Sequence, residues 1–154
     1  MKKLGRLLIP VTLFAAAMGY LEAVVVVYLR GLLPTIINIS NISDYTSFLN
    51  ELLQTPMYQT EQTRELATII MLIIFAGLLG KNLLQKLAVF LYTFGVWDIV
   101  YYISLFVLLR WPQNLYTMDI LFLIPGPWIA PVYVPVVASI IMIGIGLYIM
   151  HRDL

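Results

Sequence analysis

Four long apolar runs, separated by shorter polar stretches, dominate the 154-residue chain. A helix rises about 1.5 Å per residue, so roughly 20 apolar residues cross a hydrocarbon core about 30 Å thick. The pattern therefore predicts four membrane-spanning helices, over residues 7–28, about 61–80, 87–109 and about 129–150. The second run is the least regular, because its uninterrupted apolar part covers only residues 66–80.

The polar connections predict how these helices are joined. Residues 31–60 form the longest connection, which we expect to be external. One face of a short helix in this connection would carry Tyr45, Phe48, Leu49, Leu52 and Leu53. This spacing predicts an amphipathic helix at the outer membrane interface. The connection between the second and third spans has only a few residues, which predicts a tight antiparallel pair of helices.

The segment before the last span is rich in proline and aromatic residues. Its prolines are Pro125, Pro127, Pro131 and Pro135. Proline lacks a backbone N–H and clashes with the preceding helical turn, so we predict a broken or re-entrant segment over residues 119–128, with a break between Ile124 and Pro131. Its aromatic residues are predicted to form an interfacial belt, with substrate stacking as the alternative. They are Trp111, Tyr116, Trp128 and Tyr133.

Composition supports a membrane protein. Apolar residues make up 62% of the chain and charged residues 11%, whereas about a quarter of the residues in a soluble domain are charged. We therefore predict that residues 1–154 form one all-α integral membrane domain, a four-helix bundle embedded in the lipid bilayer, with no nucleic-acid partner. The sequence contains no cysteine, which excludes disulfides and thiolate metal sites within it.

The basic residues predict the orientation. On the positive-inside rule, both termini lie in the cytoplasm and the protein is in the cell membrane. The residues that would then lie inside are Lys2, Lys3, Arg6, Lys81, Lys86 and Arg152. A cleaved signal peptide is the alternative for the first segment, because residues 15–19 are small enough for a cleavage site. The apolar run continues for about ten residues beyond them, which favours a retained helix.

Carboxylates within the apolar runs are the main candidates for chemistry. By the helical rise, Glu22 and Glu65 lie roughly 22 Å above the inner boundary and Asp98 roughly 18 Å above it. A charge in lipid costs a few kcal/mol, so all three side chains should point into the bundle. Gly19 and Gly95, each one turn from an acid, permit close helix approach. We therefore predict that the three acids converge on one buried pocket.

These acids and their neighbours form the predicted ion- or substrate-binding site. Its members are Glu22, Glu61, Arg64, Glu65, Asp98, Tyr101, Tyr102 and Asp119. Like charges this close cannot all ionise, so the group either keeps a proton or binds a cation. Carboxylates without imidazole or thiolate prefer hard cations such as Na⁺, Mg²⁺, Ca²⁺ or Mn²⁺, with Glu22, Glu65 and Asp98 as the candidate metal ligands. The structural alternative is that arginines and tyrosine hydroxyls simply satisfy each acid.

Three functions remain open on the sequence. No HExxH, P-loop, Rossmann or GxSxG motif is present, so a conventional hydrolase, kinase or dehydrogenase has no support. The first hypothesis is cation- or proton-linked binding or transport of a small molecule, which with four spans implies a homo-oligomer. The second is an accessory subunit associated with other membrane subunits. The third is an intramembrane enzyme that acts on a lipid-like substrate through paired carboxylates.

Overall fold

The computed structural model describes residues 2–32, 50 and 53–153. Most of these residues are helical, in α1 (Lys2–Leu32), α2 (Pro56–Leu79), α3 (Leu83–Leu109) and α4 (Tyr133–Asp153). All four helices are long and apolar enough to cross a membrane, in agreement with the apolar pattern. The predicted external amphipathic helix, which depends on Tyr45, Phe48, Leu49 and Leu52, lies outside the described residues.

Residues that favour a helix start explain why α2 and α3 begin earlier than the apolar runs do. α2 starts at Pro56 rather than near residue 61, because proline is well tolerated in a first turn that needs no N–H partner. α3 starts at Leu83 rather than residue 87, because the Asn82 side chain accepts a hydrogen bond of 2.8 Å from the Gln85 backbone N–H. The apolar runs thus mark the spans, whereas Pro56 and the Asn82 cap mark where α2 and α3 begin.

Helix α3 is the centre of the bundle. It contacts the other three helices, most extensively α4 and α1. At the end of the bundle that holds the start of α1, buried side chains form a cluster of Val11, Ala76, Ala88, Val89, Tyr92 and Met150. We call this region the closed end. Nearby, the rings of Phe14 and Phe75 stack with centroids 3.9 Å apart and join α1 to α2.

Two glycines bring helix backbones into direct contact with α3. A Cβ at Gly19 of α1 would collide with the backbone carbonyl of Trp97. A Cβ at Gly95 would lie 2.6 Å from the carbonyl oxygen of Ser139 in α4. The absence of side chains at these points lets the helices approach closely, as in other membrane helix pairs. The spacing of small residues in the sequence therefore marks real points of contact.

Between α3 and α4 the chain forms an antiparallel hairpin of β1 (Met118–Phe122) and β2 (Trp128–Pro131). None of residues 110–132 is helical, so the predicted interruption is present, but as paired strands rather than a broken helix. The β-branched and aromatic residues in the segment favour strands, and strand pairing satisfies backbone groups that prolines bar from a helix. As a result α4 begins at Tyr133 rather than at residue 129.

Candidate functional site

A cavity of about 680 Å³ lies under the hairpin, at the end of the bundle opposite the closed end. We call this region the cavity end. Its walls come from all four helices and from the hairpin, and its volume is typical of small-molecule sites, which span roughly 300–1,000 Å³. All eight predicted site residues line it, namely Glu22, Glu61, Arg64, Glu65, Asp98, Tyr101, Tyr102 and Asp119. The structure thus brings together residues that are up to 97 positions apart in the sequence.

The helix contacts explain why the acids meet here. Glu22 follows Gly19 by three residues, and Gly19 packs against the backbone of Trp97 and Tyr101 where α1 approaches α3 closely. Asp98 follows Gly95 by the same interval, at the close approach of α3 to α4. Residues three apart on a helix lie on neighbouring parts of one face. The small residues therefore place the two acids on the inner side of the bundle.

Arg64 of α2 pairs with two carboxylates. Its Nη1 atom lies 2.6 Å from each carboxylate oxygen of Glu22 in α1, and its Nε donates to Oε2 of Glu61 at 2.7 Å. Glu61 is buried, whereas Glu22 and Arg64 are partly exposed. One guanidinium therefore faces two carboxylates. The pair with Glu22 also ties α1 to α2, two helices that otherwise contact each other little.

Two side chains of α2 hold the hairpin over the cavity through Leu123. Oε2 of Glu65 accepts a hydrogen bond of 2.9 Å from the Leu123 backbone N–H. Nε2 of Gln62 donates to the Leu123 carbonyl, also at 2.9 Å. Both backbone groups of Leu123 are therefore satisfied, and the bend between the strands can remain at this depth. The hydrogen-bond donor to Glu65 is therefore a backbone N–H, which carries no charge.

Asp98 connects α3 with α4. Its Oδ2 atom accepts a hydrogen bond of 2.7 Å from the hydroxyl of Ser139, which is almost fully buried. No ion pair to Asp98 is present among the residues that the structure describes. Ser139 is not among the site residues predicted from the sequence. The signal was available, since Ser139 is the single hydroxyl residue in the apolar run of α4 between Tyr133 and Tyr148.

Asp119 is the fifth acid of the cavity and projects from β1. Its Oδ2 atom accepts a hydrogen bond of 2.8 Å from the hydroxyl of Tyr102 in α3. Burial raises the pKa of Asp119 to about 6, although the Tyr102 hydrogen bond and the positive charge of Arg30 act in the opposite direction. An acid with this pKa changes its protonation state near neutral pH. Asp119 is therefore a proton-accepting group at the cavity wall.

Aromatic rings cover much of the remaining wall. The guanidinium of Arg30 lies 4.1 Å from the centroid of the Trp111 ring, and Trp111 stacks on Tyr102. Trp97 is 7% exposed, and its indole Nε1 has no hydrogen-bond partner within the described ranges. Trp111, Tyr116 and Trp128, predicted to form an interfacial belt or, as the alternative, a substrate-stacking surface, all line the cavity. Their positions in the sequence do not distinguish residues that line a cavity from residues at the membrane interface.

The geometry corrects the expectation of a metal centre. Within residues 2–32, 50 and 53–153, no group of three or more His, Cys, Asp or Glu could hold a metal ion. Glu22, Glu65 and Asp98 share the cavity, but Arg64, a backbone N–H and a serine hydroxyl engage them separately. A metal such as Ca²⁺ needs six to eight oxygen ligands at about 2.3–2.6 Å. The three acids therefore do not form the metal site that was expected of them.

Comparisons with protein-family models, with curated proteins and with solved structures find no match for this chain. No function can thus be carried over from a relative. The functional conclusion depends on the cavity, its charges and its aromatic walls.

Proposed function

We propose that this membrane protein binds a small molecule in the cavity and that binding is linked to a proton or another cation. The observation that carries the proposal is the set of three acids, Glu65, Asp98 and Asp119, that meet at one cavity and form no ion pair in the described part of the chain. Each accepts a hydrogen bond from a neutral donor instead. Structural satisfaction alone does not require three such acids in one place.

The balance of charge supports the link to a cation. Five carboxylates and two arginines line the cavity. Arg64 already faces two of the carboxylates, and Arg30 lies against an aromatic ring. Carboxylates in a membrane interior are stable when they are protonated or when a positive charge compensates them. A ligand that enters this cavity therefore either brings positive charge or changes the proton occupancy of the acids.

The position of the cavity supports access from outside the cell. The cavity lies where α1 and α3 end and where α2 and α4 begin. With both termini in the cytoplasm, as the basic residues predict, this end faces outward from the cell membrane. Transport as well as binding would need a second opening toward the cytoplasm. We propose that a homo-oligomer or another membrane subunit supplies it, since four helices are few for a transporter that acts alone.

A binding experiment tests the proposal. Purified protein in nanodiscs is melted with Na⁺, Mg²⁺ and Ca²⁺ at pH 5.5 and 7.5, and with a panel of cationic, anionic, zwitterionic and neutral small molecules. A ligand that binds only the folded state raises the melting temperature by mass action. We expect at least one compound to do so, with an effect that depends on pH or on a cation. The effect should be lost in Asp98→Asn.

Asp153→Asn is the matched control, because it removes the same charge at the far end of α4 from the cavity. It should respond to every compound as the wild type does. If no compound, cation or change of pH distinguishes wild type from Asp98→Asn, the proposal is wrong and the acids are structural. An accessory subunit would instead copurify with other chains, and an enzyme would convert the bound compound.

A further inference from the structure

We infer that the ligand of this cavity is an organic cation, an amine with an apolar body, and that Asp98 balances its charge. The inference extends the proposed function by naming the chemical class of the small molecule. It combines three features of the cavity: an excess of carboxylates, a geometry that does not suit a metal, and walls of aromatic rings. Each feature narrows the class of ligand.

The excess of acid requires a positive partner. Beyond the pairs of Arg64, three carboxylates of the wall have neutral hydrogen-bond donors alone in the described part of the chain. Asp98 is the central one, because it lies on α3, which contacts every other helix. Its partner Ser139 leaves the other carboxylate oxygen without a hydrogen bond to any described residue. An ammonium group can donate to that oxygen with charge assistance, which roughly doubles the strength of a neutral hydrogen bond.

The spacing of the acids favours an organic cation over a metal ion. A hard metal needs several oxygen ligands at once, and the described residues form no such group. An ammonium group needs one carboxylate and can satisfy its remaining contacts with aromatic faces and hydroxyls. The cavity offers that combination. The same carboxylates that do not converge on a metal therefore suit a larger cation with distributed contacts.

The aromatic walls account for the apolar body of the ligand. Trp97 precedes Asp98 in α3 and Tyr101 follows it by one turn, and both line the cavity. Phe94 lies one turn below, with its ring centroid 5.0 Å from that of Trp97. Cations within about 6 Å of an aromatic face are attracted by about 0.5–2 kcal/mol, more when water is excluded. Aromatic side chains and an acid without an ion pair in the described residues thus line the same cavity, a combination that suits an amine with an apolar body.

Four probes that differ mainly in charge test the inference on the wild-type protein. Tryptamine is a cation, tryptophol is neutral, indole-3-acetate is an anion and tryptophan is a zwitterion, and all four carry the same ring. Equilibrium dialysis against protein in nanodiscs gives their affinities. We expect tryptamine to bind at least about tenfold more tightly than the other three, a difference of about 1.4 kcal/mol. This comparison needs no variant, so it does not depend on a variant's folding.

Variants then test the role of Asp98. Asp98→Asn should lower tryptamine affinity about tenfold or more, whereas the control Asp153→Asn should not change it. Asn keeps an acceptor for the Ser139 hydroxyl, so the contact between α3 and α4 can remain. Equal affinity for tryptamine and tryptophol, or tryptamine affinity that survives Asp98→Asn, would overturn the inference. The proposed function would still stand if one of the uncharged or anionic probes bound in the cavity with an affinity that depends on pH or on a cation.

The amine could be a free solute or the headgroup of a lipid, and one further arm separates these sources. Tryptamine affinity is measured in nanodiscs of phosphatidylglycerol and again with phosphatidylethanolamine added. Competition from an amine headgroup would weaken tryptamine binding in the second nanodiscs and would identify a lipid ligand. Unchanged affinity would identify a free amine. Failure of every probe in both kinds of nanodisc would overturn the inference, and the broader panel would then decide the proposed function.

Discussion

The two ends of the bundle differ in the kinds of side chain that they contain. The closed end packs apolar side chains such as Val11, Ala88 and Met150, and a hydrogen bond of 2.7 Å joins the Thr12 and Tyr92 hydroxyls. The cavity end contains five carboxylates, two arginines and several aromatic rings around open space. The buried cluster of the closed end contains no charged side chain. The charges at the other end therefore call for an explanation beyond folding.

The largest expected effect comes from Arg64, which holds the cavity end together. Arg64→Leu leaves the carboxylates of Glu22 and Glu61 without their cation, and loss of one partner of a buried ion pair costs about 3–5 kcal/mol. We expect the free energy of unfolding, measured by denaturation in mixed micelles, to fall by up to this amount, because Arg64 and Glu22 are partly exposed. The exposed Arg152→Leu should change it by less than about 1 kcal/mol.

A triple variant shows whether the loss is electrostatic. In Arg64→Leu combined with Glu22→Gln and Glu61→Gln, no charge is left unpaired, so most of the stability should return. If the triple variant is as unstable as Arg64→Leu alone, Arg64 contributes by packing rather than by charge. The comparison between the ends would then weaken, because both would be held by the same kind of contact.

Protonation of Asp119 gives the next largest effect. Its folded-state pKa of about 6 lies above the ordinary value of 3.8, so the folded protein binds this proton more tightly than the unfolded chain does. The stabilisation from this proton is fully present below about pH 3.8 and is lost as the pH rises through about 6. Charged and titratable neighbours that contribute are Arg30 of α1 and Asp98 and Tyr102 of α3.

Asp119→Asn should remove this pH dependence, because Asn stays neutral and can still accept from Tyr102. The free energy of unfolding of Asp119→Asn minus that of the wild type should therefore rise between pH 4 and pH 7, by at most about 3 kcal/mol. Parallel denaturation curves at half-unit pH steps measure it. A constant difference across that range would mean that Asp119 keeps one protonation state throughout.

Much of the fold follows from local physics. Hydrophobic length identifies the four spans, and the rise per residue places Glu22, Glu65 and Asp98 at similar heights before any packing is considered. Small residues one turn away indicate which faces meet. The prediction of four spans succeeds because it depends on hydrophobic length within single helices.

Features that depend on pairing between distant segments could not be predicted from the sequence. The rotation of α1 against α2 decides that Arg64 reaches Glu22, and no local pattern encodes that rotation; the pair with Glu61, three residues earlier on the same helix, is local. The proline segment could be recognised as non-helical, but strand pairing requires a partner at a definite register, here Asp119 opposite Ala130. The same dependence on packing between helices explains why the expected metal ligands do not form one group in the described residues. Equal height on three helices does not fix the distance between carboxylate oxygens.

The smallest expected effects come from glycines, and they compare the two ends most directly. Gly95 contacts α4 at the cavity end, where an added Cβ would lie 2.6 Å from the Ser139 carbonyl oxygen. Gly146 is its counterpart near the closed end, where a Cβ would lie 2.7 Å from the carbonyl oxygen of Ala88. Either residue changed to alanine should cost about 1–3 kcal/mol, since both backbones must move apart. A Cβ added at Gly77 would meet no atom within 4 Å, so Gly77→Ala should be neutral or stabilising by up to about 1 kcal/mol.

Gly95→Ala and Gly146→Ala should differ in ligand affinity, although their stabilities are similar. Gly95→Ala shifts α4 away from Asp98 and disturbs the hydrogen bond to Ser139, so the affinity of the best ligand from the panel should fall several-fold. Gly146→Ala moves the same pair of helices, but at a level where no residue lines the cavity. Its affinity should match the wild type, as should that of Gly77→Ala. If Gly146→Ala lowers the affinity as much as Gly95→Ala does, α3 and α4 move as one unit, and the two ends are mechanically coupled despite their different composition.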